Sequence, residues 1–107
     1  MPLTRQFKET VKIRARRERP FREALLREAA DCLLAGDLMT GKAVLRDYVN
    51  ATIGFTTLGR GVSRSPKSLM RMLGPGGNPQ AASLFQMLGH LQRREGVRLS
   101  VRSTRVR

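Results

Sequence analysis

The chain has 107 residues, with 21 Lys plus Arg against 8 Asp plus Glu, a formal net charge of +13 and a pI near 11.7. Hydrophobic residues make up 40% and aromatics 5%, without Trp, which is too apolar for a disordered polycation and enough for one modest core. A domain of this size buries roughly two-thirds of its unfolded surface, leaving little room for a large active-site cleft. One domain is expected over 1–107: helices in 1–54, a helix pair and a further helix in 55–95, and a strand with a basic tail in 96–107.

The longest apolar run is Cys32-Leu33-Leu34-Ala35, far short of the about 20 residues needed to cross a bilayer, so no membrane partner is expected. The opening MPLTRQFKE lacks an apolar h-region, and the single cysteine excludes an internal disulfide. Both agree with a reducing cytoplasm. A charge of this size favours a polyanion, with nucleic acid first in line. Residues 1–47 carry 11 basic and 7 acidic residues, whereas 48–107 carry 10 basic residues against Glu95 alone. Pairs such as Glu18–Arg22 and Glu23–Arg27 read as solvated i,i+4 contacts. The acid-free stretch from Tyr48 to Arg94 is where a phosphate-binding surface is sought.

In chain order, Thr4 is placed to cap a first helix running to about Glu18, with Leu3, Phe7 and Val11 on one face. Pro20 suits the first turn of a second helix that ends at Gly36. Its stripe of Phe21, Leu25, Ala29, Cys32 and Leu33 is widened by Leu26, Ala30 and Leu34, beyond what one core contact requires. Asp37 caps a third helix to about Ile53, stopped by Gly54, with Leu45, Tyr48 and Val49 inward. Thr56 is expected to cap a fourth. Ser65-Pro66 pairs a hydroxyl cap with proline and opens a helix with Leu69, Met72 and Leu73 inward. Gly74-Pro75-Gly76-Gly77 is loop. Asn78-Pro79 repeats the cap-then-proline signal before a last helix with Ala81, Leu84, Phe85, Leu88 and Leu91 on its apolar side.

After Gly96 the period becomes two: Val97, Leu99 and Val101 alternate with Arg98, Ser100 and Arg102, which predicts a short strand. A lone strand cannot satisfy its own backbone, so a twin protomer or another protein would have to supply its partner. A frayed basic tail is the plainer alternative.

The two short helices within 55–73 have the spacing of a helix-turn-helix. Such a turn needs a small residue where the helices cross, apolar residues holding the second helix, and a position tolerant of positive φ. Leu58, Gly59, Val62, Leu69 and Met72 fall in register. Ser63 takes the position where glycine is preferred, and Arg64 one where an apolar residue is common. An ordinary helical hairpin is the competing reading. With Leu69, Met72 and Leu73 inward, Lys67, Ser68 and Arg71 face outward, flanked by Arg60, Arg64 and Ser65. These six are the candidate DNA-binding residues, and the amides of 65–68 add a candidate anion site.

The segment Phe55-Thr-Thr-Leu-Gly-Arg-Gly-Val-Ser-Arg-Ser-Pro-Lys-Ser-Leu-Met-Arg-Met-Leu-Gly-Pro-Gly-Gly-Asn-Pro79 resembles the addiction-module antidote proteins, antitoxins of the lambda-repressor-like (Xre) superfamily. The resemblance covers roughly 20–101, with the Pro75–Pro79 loop as its specific part. It implies a mainly α, lambda-repressor-like helix-turn-helix bundle of about five to six helices with one short C-terminal β-strand. It also implies repression of its own promoter and neutralisation of a small RelE-like toxin. Double-stranded operator DNA, that toxin and a second copy are the expected partners. Leu26, Ala30, Leu34, Val97, Leu99 and Val101 are the candidate partner or dimer surface, with Glu23, Glu28 and Asp31 beside it. The basic N-terminus and low acidity depart from the family pattern. A stand-alone regulator without a toxin is the runner-up, and a helical adaptor the third reading.

His90 and Cys32 are single, so no metal site or Cys–His nucleophile is expected. Gly74–Gly77 lacks the Lys-Ser/Thr end of a phosphate-binding loop. No catalytic residue and no cofactor is expected.

Overall fold

The computed structural model describes residues 5–106. Within them the chain forms α1 (Arg5–Arg17), α2 (Arg19–Leu34), α3 (Leu38–Ala51), α4 (Gly54–Val62), α5 (Pro66–Met72) and α6 (Ala81–Glu95). The expected cap Thr4 and the apolar Leu3 lie outside the described residues.

The helix ends follow from local chemistry. Gly36, at φ 83°, closes α2: its amide donates to Leu33 O at 3.1 Å and the Asp37 amide to Cys32 O at 2.9 Å. A left-handed glycine is the residue this C-terminal motif favours. Asp37 then caps α3, accepting from the Thr40 amide at 3.2 Å. Gly54, at φ 77°, both stops α3 and opens α4, so the Thr56 cap is replaced by a corner at Ile53-Gly54 that has no side-chain cap bond. Ser65 caps α5 as the sequence predicts. Asn78-Pro79 does not open α6, which starts two residues later behind Gln80 without a side-chain bond. Gly96, at φ 76°, ends α6 with the Val97 amide on Gln92 O.

The core is one cluster drawn from α2 to α6, built on Leu26, Leu45, Leu58, Leu69, Met87 and Leu91. The closest pairing is α2 with α3, where Gly41 lets α3 approach Leu33; a Cβ there would lie 2.7 Å from Leu33 Cδ2. Phe85, expected inward, is 67% exposed, while Met87 takes a place in the core.

No strand forms among the described residues, which corrects the expectation for the C-terminal segment. Residues 97–106 run without a ladder because no second strand exists to pair with them. Val97 and Leu99 instead pack against the core, and the Leu99 amide donates to Gln92 Oε1 at 2.8 Å. A side-chain amide thus takes the place of a neighbouring strand.

Candidate nucleic-acid interface

α4 and α5 meet across a three-residue turn, Ser63-Arg64-Ser65. Gly59 sits at the crossing: a Cβ there would come within 2.5 Å of Arg64 O and 3.5 Å of Pro66 Cδ. Ser63 has φ 56° and ψ 48°, the left-handed conformation foreseen at this position. The Arg64 amide donates to Gly59 O at 3.0 Å, closing the turn. Leu58, Val62 and Leu69 are buried and Met72 partly so, holding α5 against α4.

The outward side chains lie where the spacing put them. Arg60, Arg64, Ser65, Lys67 and Arg71 are exposed, and Ser68 is half-buried. Lys67 and Arg71, four residues apart, share one face of α5. None of these four cations makes an ion pair among the described residues. The anion site expected from backbone amides is much reduced. Pro66 has no amide proton, the Ser68 amide donates to Ser65 Oγ at 3.1 Å, and the Leu69 amide donates to Ser65 O. The Ser65 hydroxyl is therefore spent as a cap.

The one acid of the C-terminal half is also accounted for. The Glu95 side chain is 5% exposed. It accepts from Arg22 Nε at 3.1 Å on both oxygens and from Tyr48 Oη at 2.5 Å. Burial pushes the Glu95 carboxyl up, but the hydrogen bonds from Arg22 and Tyr48 outweigh it and hold the group below the usual range. Burial, then the bond to Glu95, pushes the Tyr48 phenol well up. Both groups are fixed in their ordinary charge states, and no exposed carboxylate of 48–106 remains to oppose the cations around α5.

Sequence reasoning missed the support of this surface. Arg46 Nη1 donates to Leu73 O at 2.9 Å, and Lys42 Nζ donates to Gly74 O at 2.9 Å and Gly77 O at 2.6 Å. Two α3 cations thus satisfy carbonyls at the end of α5, where positive charge is favourable. Lys42 is 2% exposed with no carboxylate on it. Gly77 packs so tightly on the carbonyls of Arg71 and Met72 that any Cβ would overlap them. The only sequence signal was two cations four apart on α3, alongside a glycine-rich loop needing donors.

α6 braces α4 from behind. The His90 ring lies on Gly61, filling the space a Cβ would take, and its buried Nε2 has no partner among the described residues. Burial, with Arg93 and Arg94 nearby, pulls its pKa down and favours the neutral ring. Cys32 is half-buried and its thiol faces Glu28 Oε1 at 3.7 Å; burial and that carboxylate raise its pKa. Among the described residues no three His, Cys, Asp or Glu side chains group in a way that could hold a metal ion.

The candidate partner residues divide. Ala30, Leu34, Leu99 and Val101 come together with Phe85 along a largely apolar groove of about 250 Å³ between α2, α6 and the C-terminal segment. Leu34 and Val101 are 66% and 76% exposed. Val97 packs on the core outside this groove, and Leu26 has no exposed surface, so it serves the core alone. No helix of the described residues is long and apolar enough to cross a membrane.

No family model matches the chain, and no curated protein or solved structure matches it either.

Proposed function

We propose that the chain is a sequence-specific DNA-binding repressor in which α4 and α5 form a lambda-repressor-like helix-turn-helix. The observation that carries this is the solvent face of α5. Lys67 and Arg71 stand there without an ion pair among the described residues, with Arg60 and Arg64 also exposed, while Glu95, the one acid of residues 48–106, is buried against Arg22 and Tyr48. α5 enters the major groove as recognition helix: Lys67 and Ser68 reach base edges, Arg71 contacts a guanine or a phosphate, and Arg60 and Arg64 hold the flanking backbone.

The resemblance of residues 20–101 to addiction-module antidotes supports the fuller reading of an antitoxin that represses its own promoter as a homodimer and neutralises a small RelE-like toxin. The groove bearing Leu34, Phe85 and Val101 is the surface this reading gives to protein partners. A stand-alone regulator shares the DNA chemistry and differs in having no co-purifying small basic protein encoded next to it.

The test is operator affinity, on a duplex selected from random sequence, by mobility shift at ~150 mM salt, where the Debye length is about 8 Å and close contacts survive. Lys67→Ala and Arg71→Ala are each expected to lower affinity about tenfold, the effect of a lost base or phosphate contact, with unchanged helicity. Parent-like affinity in both variants removes α5 from the interface.

A further inference from the structure

α1 is the helix whose charge the reading above leaves unused. It carries six cations against Glu9, a net of +5, whereas residues 18–47 sum to −1. Its only fully buried residue is Ala15. Arg5 and Lys8 lie in its first turn, where the helix dipole disfavours positive charge, with no acid among them. Of the six cations only Arg14 makes an ion pair among the described residues, to Glu18 at 2.9 Å. This concentration of charge costs helix stability, and inside the molecule only Arg14, on Glu18 and the Phe21 ring, and Lys8, beside Asp47, have a favourable contact among the described residues.

Between α1 and α3 lies a cleft of about 550 Å³. Arg5, Lys8 and Lys12 line one wall and Arg46, Asp47 and Asn50 the other, with Glu9 on the α1 side. Asp47 is half-buried: burial raises its pKa, while Arg46 and Lys8 beside it act the other way. Four cations against two carboxylates leave the cleft at +2. Arg46 also donates to Leu73 O, so the cleft and the end of α5 meet at one guanidinium. The longest dimension of the molecule, 41 Å, exceeds one turn of B-DNA, about 34 Å.

We propose that the α1–α3 cleft is a second phosphate-binding element, which holds the sugar–phosphate backbone beside the groove that α5 enters. The inference rests on α5 facing DNA. A basic helix can also lie on an anionic membrane, but Phe7 and Ile13, the exposed large apolar residues of α1, stand about 120° apart around the helix and form no common face. The duplex is therefore the favoured partner.

The experiment compares the full-length parent with two variants of equal charge, Arg5→Gln/Lys12→Gln in the cleft and Arg16→Gln/Arg17→Gln outside it. Binding to a random duplex of about 20 base pairs is titrated from about 50 to about 300 mM salt. Each phosphate contact contributes about 0.9 to the slope of log affinity against log salt. The cleft variant is expected to lower the slope by about 1.8, and the outside variant by less than half of that. Equal losses, which mean a net-charge effect, overturn the proposal, as does an unchanged slope in the cleft variant. A parent that binds phosphatidylserine-rich vesicles but not duplex also overturns it. Circular dichroism checks folding, and Arg5→Gln alone, at the helix end, is expected to lose about 0.9 if the double variant loses helicity. Lys67→Ala/Arg71→Ala separates the two readings. Should it bind the selected operator like the parent while the cleft variant still loses slope, the α5 reading fails and with it the placement beside α5, leaving the cleft as a phosphate-binding element alone.

Discussion

Ser63 shows what a single backbone angle does for the interface. A non-glycine residue in the left-handed region meets its own carbonyl oxygen, at roughly 1 kcal/mol or more. The turn between α4 and α5 accepts that because Gly59 and the Arg64 amide fix the crossing. Ser63→Gly relieves the contact and loosens the unfolded chain, and the first effect is the larger. A stabilisation of about 0.5–1 kcal/mol is expected from urea unfolding, with the face of α5 unchanged; a lower midpoint would contradict the φ of 56°. This residue was legible in the sequence, as were Gly59, Ser65 and Pro66. All four act on neighbours a few positions away, which spacing captures. Lys42, Arg46 and Gly77 were not, since Lys42 and Arg46 work across 27 to 35 residues and Gly77 is fixed by carbonyls on a different element.

Between elements, the joint at Glu95 ties α6 to Arg22 of α2 and Tyr48 of α3. The sequence offered Arg22 to Glu18, a pairing that assumes one continuous helix. Glu18 instead sits extended at φ −117°, ψ 101° between α1 and α2, bonded back to Arg14, and Arg22 is free to reach Glu95. Removing one member of a buried charged set leaves the other uncompensated, so Glu95→Gln is expected to cost about 3 kcal/mol near neutral pH. The folded Glu95 pKa lies below its unfolded value, so its contribution is complete above the ordinary carboxylate range. It is lost as pH falls through the folded pKa. Unfolding midpoints of parent and variant should therefore converge as the pH falls below the ordinary carboxylate range; a gap that stays constant with pH would rule out the charged pairing. The C-terminal segment teaches a similar lesson. Its period of two predicted a strand that does not form, because a strand is a property of two segments, and a Gln92 side chain met the Leu99 amide instead.

Over the whole molecule, the halves of the sequence concealed where charge resides. The balance of the first 47 residues averages a strongly basic α1 with an α2–α3 pair that is close to neutral. The positive charge is therefore carried by α1 and by the C-terminal half, and the recognition surface proposed for α5 uses only the second of them. The helical class and the position of the α4–α5 pair could be read from periodicity and caps, whereas of the α2 stripe only Ala29 is fully buried and Leu26, placed on the partner surface, is the leucine the core takes whole. How α1 lies on α3 could not be read, because packing through one buried alanine leaves no hydrophobic signature.

The enclosure of Lys42 supplies an internal standard for mapping these surfaces. Of the four lysines, Lys8 and Lys67 are exposed, Lys12 is partly so, and the Lys42 ammonium is shut beneath the carbonyls of Gly74 and Gly77. An amine-acylating reagent followed by mass spectrometry should label the first three and spare Lys42 while the 74–77 loop is in place. Added duplex should then shield Lys67 if α5 is docked, and Lys8 and Lys12 if the α1 cleft is filled. Label arriving on Lys42 would report that the loop has opened, so occupancy of either surface and loss of the fold are read separately from one digest.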